Sequence, residues 1–162
     1  MEFDKRLERA ITRGRDRRES KGREEAEKAI SEAEFKTLHS KCQLDLSDKI
    51  ESCLKKLADH FPGFQFKTIV GEEGWGARVS RDDFTGNPGR TAANKYSRLE
   101  MTIRPYSPAH IVELAAKGTI RNKEVFNRNH FQFLARVDVD SFGELIDLWV
   151  LEYAEQYASR AD

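Results

Sequence analysis

The amino-acid sequence predicts an α+β domain: an antiparallel β-sheet of five or six strands with one face covered by two amphipathic helices, preceded by a charged N-terminal arm, helical or disordered. Three observations carry that expectation. Between Tyr96 and Arg104 the residues alternate, with Leu99, Met101 and Ile103 on one side and Arg98, Glu100, Thr102 and Arg104 on the other. A period of two marks a strand with one buried and one wet face. From Phe142 onward Leu145, Ile146, Trp149, Tyr153 and Tyr157 recur at helical spacing, and Leu46, Ile50, Cys53, Leu54, Leu57 and Phe61 do the same earlier in the chain. A half-buried sheet needs a cover, and these two apolar stripes supply it.

The elements follow in order. Residues 1–23 hold good helix formers, and Phe3, Leu7 and Ile11 begin an apolar stripe that stops at Thr12. Gly14 and Gly22 each cost a helix about 1 kcal/mol against Ala, so the arm reads as frayed, or helical only when bound. A modest helix starts near Glu24 and reaches about Cys42. The next helix spans about 46–61, capped by Asp45 or Ser47 and stopped by Pro62-Gly63. Phe64, Phe66 and Thr68 open the first strand, Gly71 to Gly74 turns it, and Trp75, Ala77 and Val79 return antiparallel. Thr85 to Ser97 lacks periodicity and holds Gly86, Asn87, Pro88, Gly89 and Asn94, the composition of an exposed loop.

After the 96–104 strand, Pro105 and Pro108 bracket a turn. His110 to Ala116 resumes a strand, Lys117-Gly118 turns it, and Thr119 to Phe126 comes back. Asn127 to Asn129 turns again into a last strand with Phe131, Phe133, Ala135 and Val137 facing the core. Asp140 or Ser141 then caps the terminal helix at about 141–158, with Glu144 at capping-box spacing from Ser141. The domain division is thus an arm of residues 1–23, flexible or helical, before a single α+β domain of residues 24–162.

Lys and Arg together equal Asp and Glu at 28 each, but their distribution is polar. Between Lys5 and Arg23 nine basic side chains face three acidic ones; between Glu24 and Glu34 the balance reverses to five acidic against one basic. The folded part is therefore mildly acidic and only the arm is basic. No apolar run reaches the roughly 18 residues that span a bilayer, so no membrane partner is expected. Cys42 and Cys53 form no CxxC and are too few for a disulfide framework, which points to a reducing cytoplasmic setting.

Function is read less directly. The expected role is a non-catalytic protein-interaction or adaptor domain that self-associates, because Leu148 and Leu151 widen the last helix's apolar stripe beyond one sheet contact. Arg90 and Lys95, on the 85–97 loop, join them as candidate partner-binding residues. The first alternative is a nucleic-acid-associated protein acting through Arg13, Arg15, Arg17, Arg18, Lys21 and Arg23, whose guanidinium and ammonium groups would neutralise phosphates. The second is a small-ligand binder or enzyme using the 85–97 loop. Paired acids at Glu72/Glu73 and Asp82/Asp83, and the lone His110 and His130, accompany no nucleophile motif. A Cys2His2 site from His39, Cys42, Cys53 and His60 would need the chain to turn back at Leu44 to Ser47. No catalytic residue, metal site or cofactor is assigned.

Overall fold

The computed structural model describes residues 2–29, 31–85 and 93–160. Three helices and a five-stranded antiparallel sheet make an α+β fold. In chain order they are α1 (Glu2–Ala29), α2 (Glu32–His60), β1 (Gln65–Gly71), β2 (Gly74–Thr85), β3 (Ala93–Ile103), β4 (Ile111–Ile120), β5 (Lys123–Phe133), a 3-10 turn at Leu134–Arg136, and α3 (Val139–Arg160). The strands lie side by side in sequence order, a meander in which each strand pairs with the next.

Register explains which face is apolar. Val79 sits opposite Leu99, Ala77 opposite Met101, and Ile103 opposite Leu114, and all six side chains are fully buried. Leu46, Ile50, Leu54 and Leu57 of α2 and Phe142, Ile146, Trp149, Tyr153 and Tyr157 of α3 join them in one buried cluster. Each such large apolar side chain is worth about 1.5–3 kcal/mol removed from water. The outer face is polar and laced across strands, with Arg78 paired to Glu100 and Arg104 to Glu113, each at 3.7 Å. Such exposed pairs contribute little individually but satisfy the charges in place.

Several sequence expectations are corrected by the chain itself. α2 runs unbroken through Leu44 to Ser47. No glycine or proline interrupts that stretch, Leu46 and Ser47 are buried, and the Ser47 hydroxyl donates back to the Leu44 carbonyl at 3.0 Å. Asp45 and Ser47 are therefore interior residues. The cap is Ser31, whose hydroxyl accepts from the Glu34 backbone N–H at 3.2 Å. The turn that a Cys2His2 site required is absent, and His39 and His60 stand about 30 Å apart along one helix at 1.5 Å per residue.

The Lys117-Gly118 turn is also overturned. β4 continues to Ile120, and Gly118 lies at a bulge facing Phe126. A Cβ there would meet the Phe126 ring at 3.0 Å and the Tyr153 ring at 3.1 Å, so the glycine admits aromatic packing rather than a reversal. The reversal falls at Arg121-Asn122, both with positive φ (47° and 71°), as a two-residue hairpin turn demands. Asn122 then extends the ladder: its side-chain carbonyl accepts from the Tyr96 N–H and its amide donates to the Asn94 carbonyl, each at 2.9 Å.

The expected 85–97 loop shrinks from both ends, because β2 runs to Thr85 and β3 begins at Ala93. Phe131 and Phe133, expected inward, are exposed on the outer face and meet edge to face. The hairpin turn sets the parity, placing Phe126, Arg128, His130 and Gln132 on the core side instead. The alternation expected to run on to Val137 breaks at the 3-10 turn, where Leu134 is buried. α3 is capped by Asp138, whose carboxylate accepts from the Ser141 N–H at 3.4 Å, one turn earlier than Ser141 itself would allow.

Trp149 is buried within the chain, only 9% exposed. Trp149→Ala is expected to destabilise the monomer by about 3–5 kcal/mol, as a large-to-small core change does. A urea melt measures it; a loss under about 1 kcal/mol would place the ring outside the core.

Candidate functional site

Residues capable of function gather in three places: the exposed helix α1, a groove between α2 and α3, and a titratable cluster where α2 meets the β3–β4 connection. α1 begins with Glu2 and Asp4, acidic residues that suit a helix N-terminus. Every side chain from Glu2 to Glu24 is exposed, and Phe3, Leu7 and Ile11, one turn apart, remain 46–71% open to solvent. Arg13, Arg15, Arg17, Arg18, Lys21 and Arg23 lie on this helix. At helical spacing they spread around its axis rather than forming one stripe.

The groove exists because α2 and α3 run side by side in the same direction, Lys49 bridging to Asp147 (2.9 Å) midway along it and the Phe61 ring meeting Tyr157 (5.0 Å) toward one end. One half, about 500 Å³, is mainly apolar, lined by Leu57, Phe61, Val150, Leu151 and Ala154 with Cys53, and by Lys56 and His60 as well. Its other half, about 390 Å³, is lined by Asp45, Asp140, Glu144 and Asp147 beside Lys49 and Gly143. The Lys49 hydrogen bond holds the Asp147 carboxyl below its ordinary range and raises the lysine. Cys53 donates its thiol to Asp147 at 3.4 Å; burial, and then that bond, push the thiol's pKa up. Cys42 is raised by burial as well. Neither sulfur is thus an activated thiolate.

The cluster is built on Glu32, the first residue of α2. One carboxylate oxygen accepts from the Tyr106 hydroxyl and the other meets His110 Nε2 at 2.8 Å. His110 adopts φ +55° and stacks flat on Phe35, centroids 4.0 Å apart. The Tyr106 and His110 hydrogen bonds hold the Glu32 carboxyl below its usual range. Burial and the Glu32 carboxylate push Tyr106 up to about 12, so it stays a donor at neutral pH. His39, 2% exposed, lies edge-on to the Tyr106 ring; burial lowers its pKa, and its Nε2 has no hydrogen-bond partner among the described residues. Both Glu32 carboxylate oxygens are occupied, and the cluster ties α2 to the β3–β4 connection.

The candidate partner residues do not converge. Leu148 and Leu151 are both exposed on α3, but only Leu151 lines the groove. Lys95 is exposed on β3, opposite Asp83 in register. Arg90 lies outside the described residues. Of the two histidines, His130 is held between Gln132 and the Phe142 ring. Two helices, one reaching about Cys42 and the next starting at about residue 46, leave no groove to expect; the Ser31-Glu32-Ala33-Glu34 capping box is the sequence signal for the single helix α2.

Fold and site together define an α+β domain built on a five-stranded antiparallel meander. Comparison with known protein families, curated proteins and solved structures finds no match. Among the described residues no helix is long and apolar enough to cross a membrane, and no group of three or more metal-ligating side chains comes together.

Arg128 reaches both carboxylate oxygens of Glu152, tying β5 to α3, and this bond holds the Glu152 carboxyl low. Glu32, Asp147 and Glu152 are all lowered in the folded state. The stability they contribute is therefore complete above the unfolded carboxylate range and lost as pH falls through their folded values. Thermal melts of the wild type should drop in midpoint between about pH 5 and about pH 2. Glu152→Gln should melt lower at neutral pH and lose less on acidification; an identical acid loss in the variant would dismiss Glu152 as a contributor.

Proposed function

We propose that this chain is a non-catalytic protein-interaction domain that self-associates through its N-terminal helix. The observation that carries the reading is the exposure of α1: it presents Phe3, Leu7 and Ile11 to solvent, and every described side chain of it, from Glu2 to Glu24, is exposed. A helix without tertiary packing is marginal in water, and two glycines weaken it further. Its apolar stripe is the surface through which a partner would stabilise it. Residues 1–23 serve as a separable arm on a domain of residues 24–162, in which α2 and α3 cover the sheet's inner face. Leu148 and Leu151 supply further exposed apolar surface. Two free thiols support a reducing, cytoplasmic setting.

The test is sedimentation equilibrium on the full chain and on a chain lacking residues 1–23. The full chain should show concentration-dependent association and the shortened one none, with a cooperative melt whose midpoint shifts by only a few degrees. A full chain that stays monomeric, or a shortened chain that fails to fold, would contradict the proposal.

A second reading rests on the cations from Lys5 to Arg23, which stand on exposed positions of α1. Their spread around the axis, the acidic run that follows and the −4 balance of the remainder all oppose a firm grip on a polyanion. Binding to duplex DNA or single-stranded RNA is expected to be weak, indifferent to sequence, present only at low salt and lost with residues 1–23. Fluorescence anisotropy at two salt concentrations measures it. Each phosphate contact steepens log K against log salt by about 0.9 on duplex DNA, and tight binding at physiological salt would replace self-association with nucleic-acid recognition.

A further inference from the structure

We propose that the groove between α2 and α3 is the receptor for α1 of a second copy of this chain, the two copies exchanging helices about a two-fold axis. The inference rests on the self-association reading and adds the surface that receives the helix.

The helix and the groove match in polarity. On one face of α1, at successive helical spacings, stand Phe3, Leu7 and Ile11, then Gly14, then Arg18 and Lys21. That face is apolar in its first three turns and basic in the next two. The groove has the same division. Around Leu57, Phe61 and Leu151 it is mainly apolar, with Lys56 and His60 also in its lining; around Asp45, Glu144 and Asp147 it is acidic, with Lys49 already paired to Asp147 between the two. Spacing agrees as well as sign. Leu7 and Arg18 are eleven positions apart, about 16 Å along a helix, and the apolar and acidic halves are separated by the same length of α2, from Leu57 to Leu46. A helix laid antiparallel to α2 and α3 thus meets apolar with apolar and cation with carboxylate. Gly14 falls at the crossover, where the missing side chain lets the helix approach closely; nothing lies within 4 Å of a Cβ there in the single chain.

A second copy is the occupant because α1 of the same chain already stands apart from the groove with its stripe exposed. A neighbour can be engaged without reversing the chain before α2. Two-fold exchange also makes the contact self-complementary, each copy giving one helix and one groove, so that the assembly closes as a dimer.

Cys53 supplies a native reporter, since it lines the groove one turn from Leu57 while Cys42 is buried. In the antiparallel placement Ile11 falls beside it. Full-length Ile11→Cys, held under a mild oxidant at alkaline pH, should give a disulfide-linked dimer joining position 11 of one copy to Cys53 of the other, identified by peptide mass. Arg9→Cys, on the opposite face of α1, should give far less. Independently, Leu151→Glu at a 64% exposed position should keep the fold and raise the dimer Kd about tenfold or more. An internal link within a monomer would overturn the exchange. Association with neither the link nor sensitivity at Leu151 would overturn the groove while leaving self-association standing. A full chain that never associates would remove both.

Discussion

In each central strand of the meander buried apolar residues alternate with more exposed, charged ones. Val79, Leu99, Met101, Ile103 and Leu114 share one buried layer with Leu46, Ile50, Leu54, Phe142, Ile146 and Tyr153. Tyr153 shows how tightly this layer is specified. Its ring lies against the open face of Gly118, its hydroxyl donates to the Thr119 carbonyl at 2.8 Å, and burial raises its pKa. A residue larger than glycine at position 118, or a tyrosine unable to reach that carbonyl, would disturb the bulge and the packing together. Polar clamps hold the helices around this layer: Arg128 to Glu152, Lys49 to Asp147, and Glu32 to Tyr106 and His110.

The groove lies between α2 and α3, which meet through Lys49 and Asp147 and through the Phe61 and Tyr157 rings. Its acidic end carries Asp45, Asp140, Glu144 and Asp147, more carboxylate than Lys49 alone can neutralise. A surplus of one sign beside an apolar trough is a surface suited to a basic amphipathic helix, and α1 has that character.

The sequence made the core legible wherever a single periodicity ran its full length. β3 and α3 were readable from alternation and from a six-residue apolar stripe, and the β1–β2 turn from its flanking glycines. The errors share one physical source: turn-forming residue types used for other purposes. Gly118 serves ring packing, Asn127 and Asn129 are ordinary outward positions of β5, and Asp45 and Ser47 sit inside a helix. The true reversal, Arg121-Asn122, lacks the glycine that usually signals it. The site suffered in turn, because the groove depends on α2 being one element and the inward or outward sense of Phe131 depends on where β4 turns. The clamp of Glu32, Tyr106 and His110 joins residues more than 70 positions apart and leaves no local pattern to detect.

The account depends most on α1 gaining its order from a partner copy rather than from its own sequence. Hydrogen exchange of the full chain at low and high protein concentration tests this directly. The backbone amides of residues 2–24 should be weakly protected when dilute and become protected as concentration rises, while α2, α3 and β2–β4 stay protected at both. Protection of α1 that does not change with concentration would contradict it.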